Sequence, residues 1–158
     1  MNIKDEKYLL FLLEKEHYGI PILRVNEIIG MTEIIPIPAS PHYMKGIINL
    51  RGRIIPVIEL RTKFGMPDKE PDEQTCIIIV ERPVDNTVAL VGLLVDKVAE
   101  VVTVYGKDVD FPPQYGQEGA QSYWSGVGKV KDEVVMLLDI DSILTKQDIV
   151  ALSREARM

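Results

Sequence analysis

Gly, Pro, Asp and Asn interrupt this chain at short intervals, and the runs between them are dense in Ile and Val. Such runs lie at Lys7 to Leu13, Ile34 to Ile37, Gly46 to Leu50, Arg53 to Glu59, Thr75 to Glu81, Val88 to Val95, Ala99 to Val104 and Glu133 to Leu138. Short β-branched segments bounded by turn residues are the signature of a β-sandwich or β-barrel. Two hairpins follow from spacing: Arg51-Gly52 separates GIINL from RIIPVIEL, and Lys131-Asp132 separates the Val127 region from EVVMLLD. Pro56 lies inside a strand, and because proline cannot donate to a ladder it marks an edge or a bulge.

Helical signals are fewer. Pro21 to Ile29 reads as a short helix, with proline in its first turn and Gly30 at its end. Thr145 can cap a C-terminal helix over 145–158, with Asp148 three residues on and Ile149, Leu152 and Ala156 along one side. The polar, proline-bearing stretch Gly65 to Glu73 reads as a loop, as does Phe111 to Ser122.

The chain also echoes itself. GIPILRVNEII, Gly19 to Ile29, aligns without gaps on GLLVDKVAEVV, Gly92 to Val102, at an offset of 73; Gly19/Gly92, Val25/Val98 and Glu27/Glu100 are identical. PVIEL, Pro56 to Leu60, echoes MLLDI, Met136 to Ile140, at an offset of 80. Two copies of one small unit account for both, and a groove between them is a natural docking site.

Composition narrows the partners. With 46% apolar and 27% charged residues the chain has the makings of a globular core, which excludes disorder as its main state. Eighteen basic residues against 24 acidic give a net charge of −6, the wrong sign for a protein that neutralises phosphates, so neither nucleic acid nor direct insertion into an anionic membrane is expected. The longest apolar stretch, Ala89 to Val95, is far below the roughly 20 residues of a spanning helix. The opening MNIKDEKY lacks a signal-peptide core, and the single Cys76 offers no intramolecular disulfide; a cytoplasmic location is expected.

No constellation for catalysis, cofactor or metal emerges. His17 and His42 read as surface or loop residues without metal-ligand spacing, and Cys76 as a buried small hydrophobe. Ser125 in YWSGVG fails the G-x-S-x-G spacing. Asp139 and Asp141 are the pair on which a hydrolase would have to be built, but capping or turn formation explains them better. Two charged residues remain embedded in apolar text, Glu27 in RVNEIIG and Arg51 in IINLRGRII. A charge carried into such surroundings needs a partner, and Glu27 with Arg51 is the economical pairing.

The string YMKGIINLRGRIIPVIELRTKFG, Tyr43 to Gly65, closely resembles the signature of the CheW family, the coupling proteins of bacterial chemotaxis. LLFLLEKEHYGIPILRVNEI, GLLVDKVAEVV and GVGKVKDEVVMLLDIDSIL resemble further family segments in the same order, from about Tyr8 to Leu144. The resemblance implies a mainly β fold of two SH3-like five-stranded barrels with short helices and a C-terminal helix. The first barrel is expected over roughly 15–82 and the second over 83–144, with strand 7–13 able to join the second. It also implies a function without chemistry: bridging the cytoplasmic tips of transmembrane chemoreceptors to the regulatory domain of the histidine kinase CheA, in arrays at the inner face of the membrane. In the family one barrel pairs with a barrel of the kinase regulatory domain, and the receptor tip lies between barrels. An adaptor of another array, such as a twitching-motility system, would share the same fold.

Carried over residue by residue, Glu27 and Arg51 match the family's paired acid and base. Val25, Val98 and Val101 match apolar positions linked to receptor contact. Asn49, Gly46 and Gly52 match strand and turn positions, where the glycines read as backbone-conformation residues. Arg82 to Asn86 departs from the family as a roomier hairpin link.

Overall fold

The structure, a computed structural model, describes residues 4–111 and 123–156, so the loop expected over 111–122 lies outside the described residues except for Phe111. Its strands are β1 (Glu6–Leu13), β2 (Glu16–Pro21), β3 (Val25–Gly30), β4 (Met44–Leu50), β5 (Arg53–Glu59), β6 (Cys76–Val84), β7 (Thr87–Val95), β8 (Lys97–Val104), β9 (Val109–Asp110), β10 (Trp124–Val130) and β11 (Glu133–Leu138). Its helices are α1 (Leu60–Lys63), α2 (Ile140–Ile143) and α3 (Lys146–Ala156). One sheet has the order β8-β1-β2-β11-β10-β9 and the other β3-β6-β7-β5-β4. This is the mainly β fold of two five-stranded units read from the sequence, the sixth strand of the first sheet being only two residues long.

Apart from β9 the two sheets follow one plan. Each holds two antiparallel hairpins joined by a parallel contact, β2 with β11 in the first and β7 with β5 in the second. The fifth strand of each comes from the other hairpin: β3 follows β2 in sequence but pairs with β6, and β8 follows β7 but pairs with β1. Register reproduces both sequence echoes. Gly19 faces Leu137 and Gly92 faces Val57, which are the 73- and 80-residue offsets together. The bulge at Met44/Gly46 recurs at Trp124/Gly126, and the bond from Glu59 N–H to the Tyr43 carbonyl recurs from Asp139 to Tyr123, both at 2.9 Å.

This exchange corrects the expected division of the chain. A boundary at 82/83 cuts through β6, β2 lies with β8 to β11, and β7 lies with β3 to β6 apart from their exchanged neighbours. The N-terminal strand β1 sits beside β8, as the sequence left open.

Exchange also explains the unbroken apolar runs YLLFLL and IIIV. Both β1 and β6 are buried on both faces, so alternation is lost. Tyr8 and Leu10 pack with Val102, Val104, Val135 and Leu137 inside the first sheet, whereas Leu9, Phe11 and Leu13 turn to a core shared by both. Ile77 and Ile79 fill the second sheet, and Ile78 and Val80 enter the shared core. Ile149 and Leu152 of α3 close that core. The expected cap is present, as a reciprocal pair: Asp148 N–H donates to Thr145 Oγ1 at 3.1 Å and Thr145 N–H to Asp148 Oδ2 at 2.9 Å.

Ion pairs hold both crossovers. At the β7–β8 crossover Arg61 of α1 bonds both oxygens of Asp96, at 2.9 and 2.7 Å, and also meets Glu14. The Arg61 and Asp96 side chains are only 4% and 10% exposed. At the β2–β3 crossover Arg24 grips Asp141 of α2 at 2.9 and 3.0 Å, in a setting open to solvent.

Local expectations also needed correction. Pro21 to Ile29 is not a helix: a single 3-10 turn, Ile22–Arg24, leads into strand β3, whose residues alternate between half-buried and exposed. The β-branched Val25, Ile28 and Ile29 have the free edge of β6 to pair with, and that pairing outweighs the local signal. Ile34 to Ile37 is not a full strand but one bridge, Ile35 to Ile47, because Pro36 and Pro38 remove alternate donors. The Arg82 to Asn86 link is tight, with β6 and β7 separated only by Asp85-Asn86. Pro56 sits at a local edge as expected: it faces Ile47 on β4, while pairing with β7 begins at Val57.

Candidate functional site

The hairpin of β4 and β5 carries the candidate site. Arg51 and Gly52, at φ 51° and 87°, form the two-residue turn, and both lie in the left-handed region that a type I′ turn demands. Asn49 Oδ1 accepts the Gly52 N–H at 2.9 Å, fixing the tip. Gly46 is buried at φ 154°, and a Cβ there would run into the Ile35 carbonyl and lie 2.8 Å from Ile34 Cγ2. Asn49, Gly46 and Gly52 therefore shape the backbone that aims Arg51.

From that tip Arg51 reaches β3 and pairs with Glu27 through both guanidinium nitrogens. The expected pairing is present, in an open setting. The Arg51 side chain is 70% exposed and Glu27 28%, because the tip projects past the apolar strands that surround Arg51 in sequence. Side-chain alternation explains it: Ile48, Leu50 and Ile55 point into the second sheet, and the turn itself points out.

The first sheet repeats this arrangement. Lys131, at the equivalent place in the Lys131-Asp132 turn, meets Glu100 of β8 at 3.2 Å. Glu100 is the 73-residue echo of Glu27, and Lys131 the 80-residue echo of Arg51. Sequence reasoning singled out only the first pair, although carrying the second offset across the hairpin finds Lys131. Exposed apolar residues accompany each pair in sequence, Ile28 and Ile54 in one case, Val101 and Val134 in the other. Val25 and Val98 are half-buried against the shared core on different sheets, so the structure does not join them to Val101 in a single exposed patch.

The residues screened for chemistry have structural partners. Asp139 caps α2, accepting from Asp141 N–H at 3.1 Å and Ser142 Oγ at 3.0 Å, and Asp141 is held by Arg24, which lowers its carboxyl below the ordinary range. His17 Nδ1 lies 2.9 Å from Glu133, and His42 stands exposed, edge-on to Tyr43. Cys76 is half-buried rather than buried. Among the described residues no group of three His, Cys, Asp or Glu is placed to hold a metal, and no helix is long and apolar enough to cross a membrane.

Paired small β-units, each with a charged hairpin tip facing an acidic strand residue, define the class of fold. Comparison with known proteins gives the class a family. A CheW-like domain model matches residues 7–148. The chemotaxis protein CheW of Klebsiella aerogenes is 32% identical over 152 residues, covering 96% of this chain and 89% of that one. The CheW protein of Treponema pallidum is 32% identical over 158 residues, covering 97% and 91%. The crystal structure of the scaffolding protein TtCheW from Thermoanaerobacter tengcongensis matches with a TM-score of 0.79 and 31% identity, covering 92% of each chain. The chain belongs to the CheW-like family.

Proposed function

We propose that this chain is a non-catalytic scaffold that couples chemoreceptor tips to the regulatory domain of the histidine kinase CheA, on the cytoplasmic side of the membrane. The observation that carries the reading is the Glu27–Arg51 pair, held out on a hairpin tip in a chain of the CheW-like family, whose relatives are named chemotaxis and scaffolding proteins. A planar guanidinium fixed by a carboxylate costs little to order on binding and supplies orientation, while the apolar side chains beside it supply contact area. Signal transfer is then geometric: the receptor's two states differ in how they hold the scaffold, and the kinase is held differently in turn.

The test is a titration of the purified chain against the CheA regulatory domain and, separately, against a receptor cytoplasmic fragment, followed by NMR shifts. Arg51→Ala should weaken at least one of the two by about tenfold, the scale of a charge at an interface rim. Its melting temperature should not move, because the pair is solvent-exposed. Unaltered affinity for both partners would remove the pair from the function, and failure of the unmodified chain to bind either would remove the function itself.

A further inference from the structure

Equivalent positions beside α1 and α2 are filled in one sheet and open in the other. In the second sheet Lys45 Nζ meets the buried Glu59 at 3.4 Å, and Lys69, Glu70 and Pro71 close on the pair, leaving a void of only about 10 Å³. The 80-residue echo carries Lys45 to Ser125 and Glu59 to Asp139. A serine hydroxyl cannot reach as far as a lysine amine, and the chain after α2 runs straight into α3, which packs on the shared core. A cavity of about 170 Å³ remains, and Ile140 is the last described residue on its wall.

That wall is polar and unbalanced in charge. Leu10 faces Gly19 as Ile79 faces Gly92, so Tyr8 stands where the second sheet has Ile77, and Glu6 where it has Thr75. Tyr8 is 7% exposed, yet it lines the cavity, and the bond its hydroxyl donates to Glu6 Oε1 is stretched to 3.5 Å. The cations at hand, Arg24 and Arg82, are both taken by Asp141. Neither Glu6 nor Asp139 has a cation of its own among the described residues. Asp139 accepts two hydrogen bonds as the cap of α2, and an ionised carboxylate has lone pairs for more. Pro21 and Leu138 add an apolar side to the cavity.

A buried hydroxyl, two carboxylates and an apolar side are complementary to an ammonium on an alkyl stem. We propose that this cavity seats a lysine side chain presented by a partner polypeptide, completing in the first sheet what Lys45 completes in the second. The ammonium bonds Glu6, Asp139 and the Tyr8 hydroxyl, and the stem lies along Pro21 and Leu138. The source is a chain and not a free amine, because in the second sheet a chain segment closes over the pair. The inference stands apart from the coupling function, since it concerns the chemistry of this cavity alone.

NMR titration of the full chain with a blocked Ala-Lys-Ala peptide tests it, beside the same peptide with norleucine for lysine and beside n-butylammonium chloride. The lysine peptide should shift the amides of Tyr8, Ser125 and Asp139 to saturation, the norleucine peptide should not, and n-butylammonium should bind more weakly. Glu6→Gln should weaken the peptide about tenfold, the loss of one hydrogen bond to a charged group. Ser125→Lys places the chain's own amine where Lys45 has its amine, and should abolish the shifts. Shifts that are absent, or equal with norleucine, would overturn the site; n-butylammonium binding as tightly as the peptide would overturn its assignment to a partner chain. Should the Ser125→Lys chain fail to fold, Glu6→Gln and the norleucine peptide decide.

Discussion

The two sheets share strand order, register, bulges and hairpin geometry, but the chemistry laid on that plan is not shared. After β5 the helix carries the cation, Arg61, and the crossover carries the anion, Asp96; after β11 the helix carries the anion, Asp141, and the crossover the cation, Arg24. Each clamp has a third member, Glu14 in the first and Arg82 in the second, at 3.5 Å from Asp141, but the first is buried and the second is open to water. Both parallel seams join three residue pairs, but out of step: β2–β11 ends at Gly19–Leu137, where the equivalent β7–β5 pairing, Gly92–Val57, begins. Topology thus dictates where a crossover must be fastened, and either sign order satisfies it. What differs is how much each fastening contributes.

The largest expected effect separates the clamps. Arg61→Ala leaves Asp96 buried without its partner and should cost about 3–5 kcal/mol in urea unfolding, whereas Arg24→Ala at the exposed clamp should cost about 0.5–1 kcal/mol. Equal losses would mean that burial does not distinguish them. Next come the equivalent glycines. Gly46→Ala drives a methyl into the Ile35 backbone carbonyl at a positive φ and should cost about 3 kcal/mol, while Gly126→Ala meets the Val109 side chain first and the Asp110 carbonyl only at 3.3 Å, and should cost less, about 1–2 kcal/mol.

Acid sharpens the contrast further. Burial raises the Asp96 carboxyl, but bonds from Arg61 and the Glu14 amide more than reverse it, leaving it below its ordinary value. A depressed folded-state value means the stabilisation is complete above the unfolded carboxylate range near pH 4 and is lost as pH falls through the folded value. The stability gap between the unaltered chain and Asp96→Asn should therefore narrow on acidification from about pH 5 to 3; a gap independent of pH would show that the charge contributes nothing. The smallest effect concerns the hairpin tips. Exchanging their cations, Arg51→Lys with Lys131→Arg, should leave the melting temperature where it is and alter only partner affinity, because a lysine cannot reproduce the two-nitrogen contact with Glu27.

Much of this architecture was legible from local chemistry. Turn residues located Arg51-Gly52 and Lys131-Asp132, and β5 and β11 were read with their observed bounds. The Thr145 cap was readable because both its partners lie within one helical turn. The Glu27–Arg51 pairing was readable because both charges sit among apolar residues, yet its exposure was not, since that depends on which way the hairpin tip points. β3 was misread as helix because Pro21 and Gly30 are sound helix punctuation, and nothing local reports the vacant edge of β6. Glu100–Lys131 was missed because Lys131 looks like any polar turn residue until the hairpin is laid beside β8.

From its sequence alone this protein read as a β-protein made of two like halves, because periodicity, turn residues and internal repetition act over a few neighbouring positions. Only the tertiary structure decided that β3 and β8 trade sheets, that Arg61 is buried while Arg51 stands in water, and that α3 closes the shared core. Those outcomes rest on contacts between residues 24 to 117 positions apart, whose energies depend on burial and on which strand edge is left free, and neither quantity is carried by a short stretch of chain.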